Sequence, residues 1–264
     1  MADYFLIDRY FLVPLQFILP QQFALSRLLL RALKGITHLF TRKTQLHRLL
    51  LSPHPDKLYY YRLLFKDSPM AVLEKKVPMD LLPRVVDYQN SLEKYEVFKR
   101  HFVDQCRSTE GIDDLLEGIR EAAREKGIRF ESWMDLGFQG EDPKTDVRST
   151  GIAALHHLLY LIRQYPQTIR VGLNSPYSIS FACIVINCTA YLRDLLGSNA
   201  DRMNYFMLYG EEIRDYEPRL AEGVNIMLAI LEEEWTRLQP RDIMGFPAVF
   251  AIVKQHFLRQ TPKL

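Results

Sequence analysis

Residues 220–238 read LAEGVNIMLAILEEEWTRL, and their apolar residues recur every three or four positions. That spacing places them along one face of an α-helix, because an α-helix turns once every 3.6 residues. A half-buried β-strand would instead alternate apolar and polar residues at period two. The stretch therefore predicts a helix that buries one stripe, which consists of Leu220, Val224, Met227, Leu228, Leu231, Trp235 and Leu238.

The same helical period recurs along the rest of the chain. Residues 177–196 are nearly all apolar and carry no turn signal, which favours one buried helix. Asp242 is a plausible N-cap for a last helix. These patterns predict an all-α fold, with buried faces at Leu92, Tyr95, Phe98, Phe102 and Cys106, at Ile152, Leu155, Leu158, Leu159 and Ile162, and at Phe246, Val249, Phe250, Val253 and Phe257.

Composition narrows the class of protein. The chain has 264 residues, of which 48% are hydrophobic and 25% charged, so it can form a packed core of one or two domains. A net charge of +2 makes no case for a nucleic-acid partner. Three cysteines with no zinc-site spacing suit a reducing compartment, and we expect Cys183 and Cys188 to be buried hydrophobes.

Residues 1–55 form a basic N-terminal segment with seven basic and two acidic residues. Interleaved Phe and Leu are consistent with an amphipathic segment lying on an anionic membrane surface. The alternative is an ordinary helix that packs on the main domain. A mitochondrial targeting segment is disfavoured by Asp3 and Asp8, and a membrane span by Pro14 and Pro20. We expect a cytoplasmic protein, peripheral on an intracellular membrane if this segment binds lipid.

Residues 133–151 do not fit a helical core. They read WMDLGFQGEDPKTDVRSTG, and three glycines and a proline cannot lie inside a helix. Gly137 and Gly140 suggest unusual backbone dihedrals, while the Asp142-Pro143 and Thr145-Asp146 pairs form turns and N-caps. Arg148 is expected at the first turn of the next helix, where a basic residue opposes the helix dipole. From the residues alone, the favoured interpretation is that Arg148 pairs with Asp146 or Asp142 on the surface.

This segment resembles the signature of the ELMO domain family, and specifically its ELMO-domain-containing branch. The resemblance covers roughly residues 109–258. Within that range, further matching segments are Tyr177–Thr189, Glu234-Trp235 and Asp242–Phe246. Ser149 and Val147 depart from the pattern, where Gly and Phe are usual. The matching residues are Trp133, Gly137, Phe138, Gln139, Gly140, Asp142, Pro143, Thr145, Asp146, Arg148 and Gly151.

The resemblance implies a helical ELMO domain at 109–258, preceded by a helical lead-in at 56–108 and by the 1–55 segment as a helical extension. It implies a GTPase-activating protein for Arf and Arf-like small GTPases that supplies Arg148 in trans as an arginine finger. The alternative is a non-catalytic scaffold that binds a GTPase or a Rac exchange factor. The expected supporting or GTPase-binding residues are Trp133, Gly137, Phe138, Gln139, Gly140, Asp142, Thr145 and Asp146, with Asp146 orienting Arg148.

Other chemistry finds no support in the sequence. The P-loop, GxSxG and HExxH motifs are absent, so we expect no catalysis by the chain alone. We expect no metal site and no cofactor, with GTP and Mg²⁺ belonging to the partner. Adjacent residues point about 100° apart on a helix, which disfavours a metal shared by His156 and His157. The sequon at Asn187 is expected to be buried, and residues 232–234 (EEE) to form a solvated helix face.

Overall fold

A computed structural model describes residues 32–33, 77, 79, 81–177, 180–197 and 216–260. Within these residues the regular structure is helical and no strand occurs, as the all-α prediction requires. From residue 82 onward, the described residues form seven α-helices: α1 (Leu82–Gln105), α2 (Ile112–Glu125), α3 (Gly151–Gln164), α4 (Pro166–Asn174), α5 (Phe181–Gly197), α6 (Tyr216–Leu238) and α7 (Phe246–Gln260).

The chain divides into two compact units, residues 1–94 and 95–264, with the boundary inside α1. In the first unit, the described side chains of Val77, Leu81 and Val85 are buried. The basic N-terminal segment lies outside the described residues apart from positions 32 and 33, which are helical. No helix in the described part of the chain is long and apolar enough to cross a bilayer.

Helix α3 is the centre of the second unit, since it contacts α2, α4, α5 and α6. A helix surrounded in this way must be apolar on most of its circumference. The sequence of α3 meets that requirement with buried residues on several faces, namely Gly151, Ala153, Ala154, Leu155, His157, Leu158, Leu161 and Ile162. The predicted stripe of α3 is therefore part of a wider buried surface.

Local sequence determines where α2 and α3 end. Pro166 disfavours helical dihedrals at Tyr165, so α3 stops and α4 begins with the proline at its first position. Gly127 has a φ of 68°, and the Ile128 N–H donates to the Ala123 carbonyl at 2.8 Å, closing α2 with a Schellman-type cap. Each of these helix ends is therefore determined by residues at the end itself.

The C-terminal helices follow the predicted pattern with some corrections. The stripe of α6 is buried from Leu220 to Trp235, whereas Leu238 is 40% exposed. Asp242 accepts a hydrogen bond from the Met244 N–H, so it caps a short 3₁₀ turn that leads into α7. The apolar run predicted to be helical from residue 177 starts its α-helix later, at Phe181. The side chain of Leu92 lies outside the described part of α1.

The acidic run 232–234 was expected to be solvated, and the structure shows that this is wrong for two of its three residues. Glu234 is 3% exposed, and its carboxylate accepts from Arg237 Nε at 2.9 Å and lies 3.1 Å from His256 Nδ1. Glu232 accepts hydrogen bonds from the hydroxyls of Ser175 and Tyr177. Both carboxylates tie α6 to neighbouring segments, which a reading of charge alone could not reveal.

Candidate functional site

The irregular segment between α2 and α3 begins with a capped 3₁₀ turn, Trp133–Leu136. Ser132 Oγ accepts from the Asp135 N–H, and the Asp135 carboxylate accepts from the N–H groups of Ser132 and Glu131 at 2.8 and 2.9 Å. This reciprocal arrangement is a capping box. Its hydrogen bonds to the carboxylate hold the pKa of Asp135 below its usual range.

The two aromatic residues of the signature are structural. Trp133 and Phe138 are buried and meet edge to face, with ring centroids 5.8 Å apart. The Arg120 guanidinium of α2 lies 4.4 Å from the Trp133 ring centroid, which is cation–π geometry. Trp133 and Phe138 therefore fasten the segment to the core and leave little surface for a partner.

Residues 137–150, which we call the arginine loop, begin at a glycine that no other residue could replace without strain. Gly137 has a φ of 92°, and a Cβ there would lie 2.2 Å from the Phe181 backbone nitrogen. The Gly137 carbonyl accepts from the Cys183 N–H at 3.3 Å. Gly140 differs, because its φ is not positive and a Cβ there would meet nothing within 4 Å.

The carboxylate of Asp146 closes the arginine loop. It accepts a hydrogen bond from the Gln139 N–H at 2.7 Å, and the Thr145 hydroxyl lies 3.4 Å from its other oxygen. Asp146 was expected to orient Arg148, but the described contacts include no ion pair or hydrogen bond between these two side chains, nor between Arg148 and Asp142. Asp146 instead fixes the backbone at Gln139.

Asp142 caps the middle of the loop, as its sequence context predicts. Its carboxylate accepts from the Lys144 N–H at 3.1 Å and caps the 3₁₀ turn Pro143–Thr145. The Lys144 ammonium lies 2.7 Å from Asp113 in the first turn of α2. Both charged groups of this ion pair are well exposed, so the pair contributes little to the stability of the fold. It links Lys144 of the loop to the first turn of α2.

Arg148 is exposed and is held at one point. It lies in the 3₁₀ turn Val147–Ser149, three residues before α3 begins, and not in the first turn of that helix as predicted. Its Nε donates to the Thr145 carbonyl at 2.7 Å. No described residue accepts a hydrogen bond from its Nη1 or Nη2. The guanidinium thus presents two terminal nitrogens, with four N–H groups, from a fixed stem.

The C-terminal end of the arginine loop is fixed by contacts on two sides. Gly151 has a φ of 50°, and a Cβ there would lie 2.4 Å from the Gln105 carbonyl oxygen and 2.5 Å from that of Ser108. On the other side, Nη1 of Arg193 in α5 donates to the Ser149 carbonyl. Arg193 lies 44 positions from Ser149 and outside the signature, so no sequence signal pointed to it.

The predicted site residues therefore divide into two groups. The exposed group is Gln139, Asp142, Thr145 and Arg148, with Gly140 half-buried beside them. The internal group comprises the buried Trp133, Gly137 and Phe138 and the half-buried Asp146. The exposed side chains lie within ten residues of sequence on one loop, and the internal ones hold that loop in place.

The described residues also include thiols, histidines and other possible metal ligands outside the arginine loop. The described residues contain no cluster of His, Cys, Asp and Glu that could hold a metal ion. Burial raises the pKa of Cys183 to about 11 and lowers that of His157 to about 3. His157 Nδ1 is 2.8 Å from Thr189 Oγ1. Asn187 was expected to be buried but is exposed, and its amide nitrogen donates to the Cys183 carbonyl.

Comparisons with a family model and with individual known proteins both match ELMO-type proteins. The model of the ELMO/CED-12 family matches residues 96–250. The chain is 23% identical to ELMO domain-containing protein 1 of Mus musculus over 268 residues, which cover 87% of this chain and 78% of the mouse protein. ELMO domain-containing protein B of Dictyostelium discoideum is 30% identical over 138 residues, covering 51% and 45% of the two chains. No solved structure matches.

Proposed function

The chain belongs to the ELMO/CED-12 family, whose members are regulators of GTPases, and on that premise we propose that it activates GTP hydrolysis by Arf and Arf-like small GTPases. Arg148 is the arginine finger of this proposal. The choice of Arf-class partners and of activation over scaffolding rests on the resemblance of residues 133–151 to the activating branch.

One observation carries the proposal: the Arg148 side chain is exposed, anchored through Nε, and presents its terminal nitrogens from a loop with fixed ends. In GTP hydrolysis, negative charge on the γ-phosphate oxygens must be stabilised in the transition state. A guanidinium stays protonated and can donate to two phosphate oxygens at once. Such a finger accelerates hydrolysis on the order of 10³–10⁵-fold.

The remaining loop residues take supporting roles. The exposed side chains of Gln139, Asp142 and Thr145, together with Gly140, form the surface that contacts the GTPase. Trp133, Gly137 and Phe138 hold that surface, and Asp146 closes it through the Gln139 N–H. The chain itself binds no nucleotide in this scheme. GTP and Mg²⁺ belong to the partner, which also positions the attacking water.

The test is single-turnover GTP hydrolysis by a panel of purified Arf and Arf-like GTPases. Arg148→Lys keeps the charge but loses the planar fork, so the stimulated rate should fall more than about tenfold. Its thermal stability should stay within about 0.5 kcal/mol of wild type, because the side chain is exposed. Arg163→Lys is the matched control, since Arg163 is exposed at the far end of α3, about 18 Å along the helix from Gly151.

Two results would contradict the proposal. If Arg148→Lys stimulates hydrolysis as well as Arg163→Lys does, Arg148 is not the finger. If the wild-type chain binds a GTPase but stimulates none of the panel, the non-catalytic scaffold is the better assignment.

A further inference from the structure

Helix α5 spans the arginine loop and contacts both of its ends. Near the start of α5, the Cys183 N–H donates to the Gly137 carbonyl at 3.3 Å. Near its end, Arg193 Nη1 donates to the Ser149 carbonyl. These two residues are ten positions apart on one helix, a separation of about 15 Å. A single rigid element therefore sets the distance between the two ends of the loop.

The Arg193 side chain pairs with its neighbour in α5 as well as with the loop. Its Nε and Nη2 donate to Asp194 Oδ1 at 2.9 and 2.7 Å, and its side chain is 30% exposed. All three nitrogens of the Arg193 guanidinium thus have partners within the chain. Arg193 differs in this respect from Arg148, and its charge is balanced by an adjacent carboxylate. Its guanidinium is therefore suited to bind the Ser149 backbone carbonyl and not a phosphate group.

Arg148 lies between two anchored carbonyl groups. The Thr145 carbonyl accepts from Arg148 itself, and the Ser149 carbonyl, which belongs to the next residue, accepts from Arg193. Reacting groups must be held within about 0.5 Å of the productive geometry for full effect. Loss of one anchor would leave the Arg148 stem attached to a backbone that can shift.

We propose that Arg193 is a positioning residue for Arg148, acting through the Ser149 carbonyl; the inference rests on the proposed function. The Thr145 contact sets the direction of the side chain, and Arg193 sets the position of the backbone that carries it. Removing Arg193 should lower the stimulated rate at saturating concentration and leave GTPase binding unchanged.

The experiment compares Arg193→Ala and Arg193→Lys with wild type on an Arf-class GTPase that the wild-type chain stimulates. Arg193→Ala should lower the maximal single-turnover rate about tenfold, with the half-saturating concentration within about twofold. Arg193→Lys should retain the rate to within about threefold, because an ammonium group can donate to the same carbonyl. Combined with Arg148→Lys, Arg193→Ala should have no additional effect, since the two residues act as a unit.

Hydrogen exchange of the free protein supplies a readout that needs no GTPase. Arg193→Ala should speed amide exchange in residues 145–152 and leave α2 unchanged. If Arg193→Ala stimulates hydrolysis at the wild-type rate while Arg148→Lys is slow, this inference is wrong but the proposed function still stands. Additive losses in the double variant, or a raised half-saturating concentration, would also overturn it. Full activity of Arg148→Lys would remove the proposed function, while exchange would still show whether Arg193 holds the loop.

Discussion

The Gly137→Ala substitution tests whether the arginine loop is packed backbone to backbone on α5. A Cβ at this position would lie 2.2 Å from the Phe181 nitrogen and 2.8 Å from the Ala182 nitrogen. Both atoms belong to the first turn of a 17-residue helix, so neither can turn away as a flexible side chain would. The φ of 92° adds a second penalty, because an L side chain disfavours this region.

The expected loss follows from these two terms. A positive φ at a non-glycine residue costs about 1–2 kcal/mol, and forcing an extra methyl group into a packed site costs about 1–3 kcal/mol. Gly137→Ala should therefore lower the free energy of unfolding by about 2–5 kcal/mol. That is a large share of the stability of an ordinary domain, which is about 5–15 kcal/mol.

Urea denaturation followed by tryptophan fluorescence measures this loss. The two tryptophans, Trp133 and Trp235, are both buried in the unit formed by residues 95–264, so they report its unfolding. Gly140→Ala is the matched control, since a Cβ there meets nothing within 4 Å and should change stability by less than about 0.5 kcal/mol. A Gly137→Ala variant as stable as Gly140→Ala would refute the packing argument.

Three further predictions concern buried polar groups. Thr150→Val should stabilise the protein by about 1 kcal/mol in the same urea assay, because Thr150 Oγ1 is buried and has no hydrogen-bond partner among the described residues. His157 is buried with a pKa of about 3, so below pH 6.5 the unfolded state binds a proton that the folded state does not. Stability should therefore fall by about 1.4 kcal/mol per pH unit from 6.5 towards 3, and His157→Gln should flatten that slope in pH-dependent melts. Glu234→Gln should cost about 2 kcal/mol in thermal melts, whereas Glu233→Gln, its exposed neighbour, should be nearly neutral. A pH slope that survives His157→Gln, a destabilised Thr150→Val or equal effects at 233 and 234 would each contradict the corresponding assignment.

Sequence reasoning predicted five of the seven described helices, α1, α3, α5, α6 and α7, because the cause of each is local, and it made no prediction for α2 and α4. The apolar spacing within residues 220–238 reflects the helical period whatever the helix packs against. Asp142 and Asp242 were recognisable as caps for the same reason, since the group each one satisfies lies two residues away. Gly137 was recognisable as a special position because only glycine adopts its dihedrals without strain.

Several of the errors concern charged side chains whose partners are not their neighbours in sequence. Glu232 receives its hydrogen bonds from residues more than 50 positions away, and Glu234 meets His256 on another helix. Arg193 reaches Ser149 across 44 positions. Asp146 was assigned to the nearby Arg148, but its carboxylate bonds to the Gln139 N–H on the other side of the loop. Charge and spacing along the chain cannot choose between such partners.

Both ends of the arginine loop are fixed, and this restricts how the length of the loop can change. Most exposed loops accept inserted residues at little thermodynamic cost, because closing a longer loop costs only slightly more entropy. Much of this loop is exposed, yet close backbone packing fixes its first residue, Gly137, and the residue that follows it, Gly151. Extra residues would have to bulge between fixed points and would shift the Asp146 carboxylate away from the Gln139 N–H. An affinity tag placed between residues 139 and 146 would therefore disturb the site even if the chain still folded.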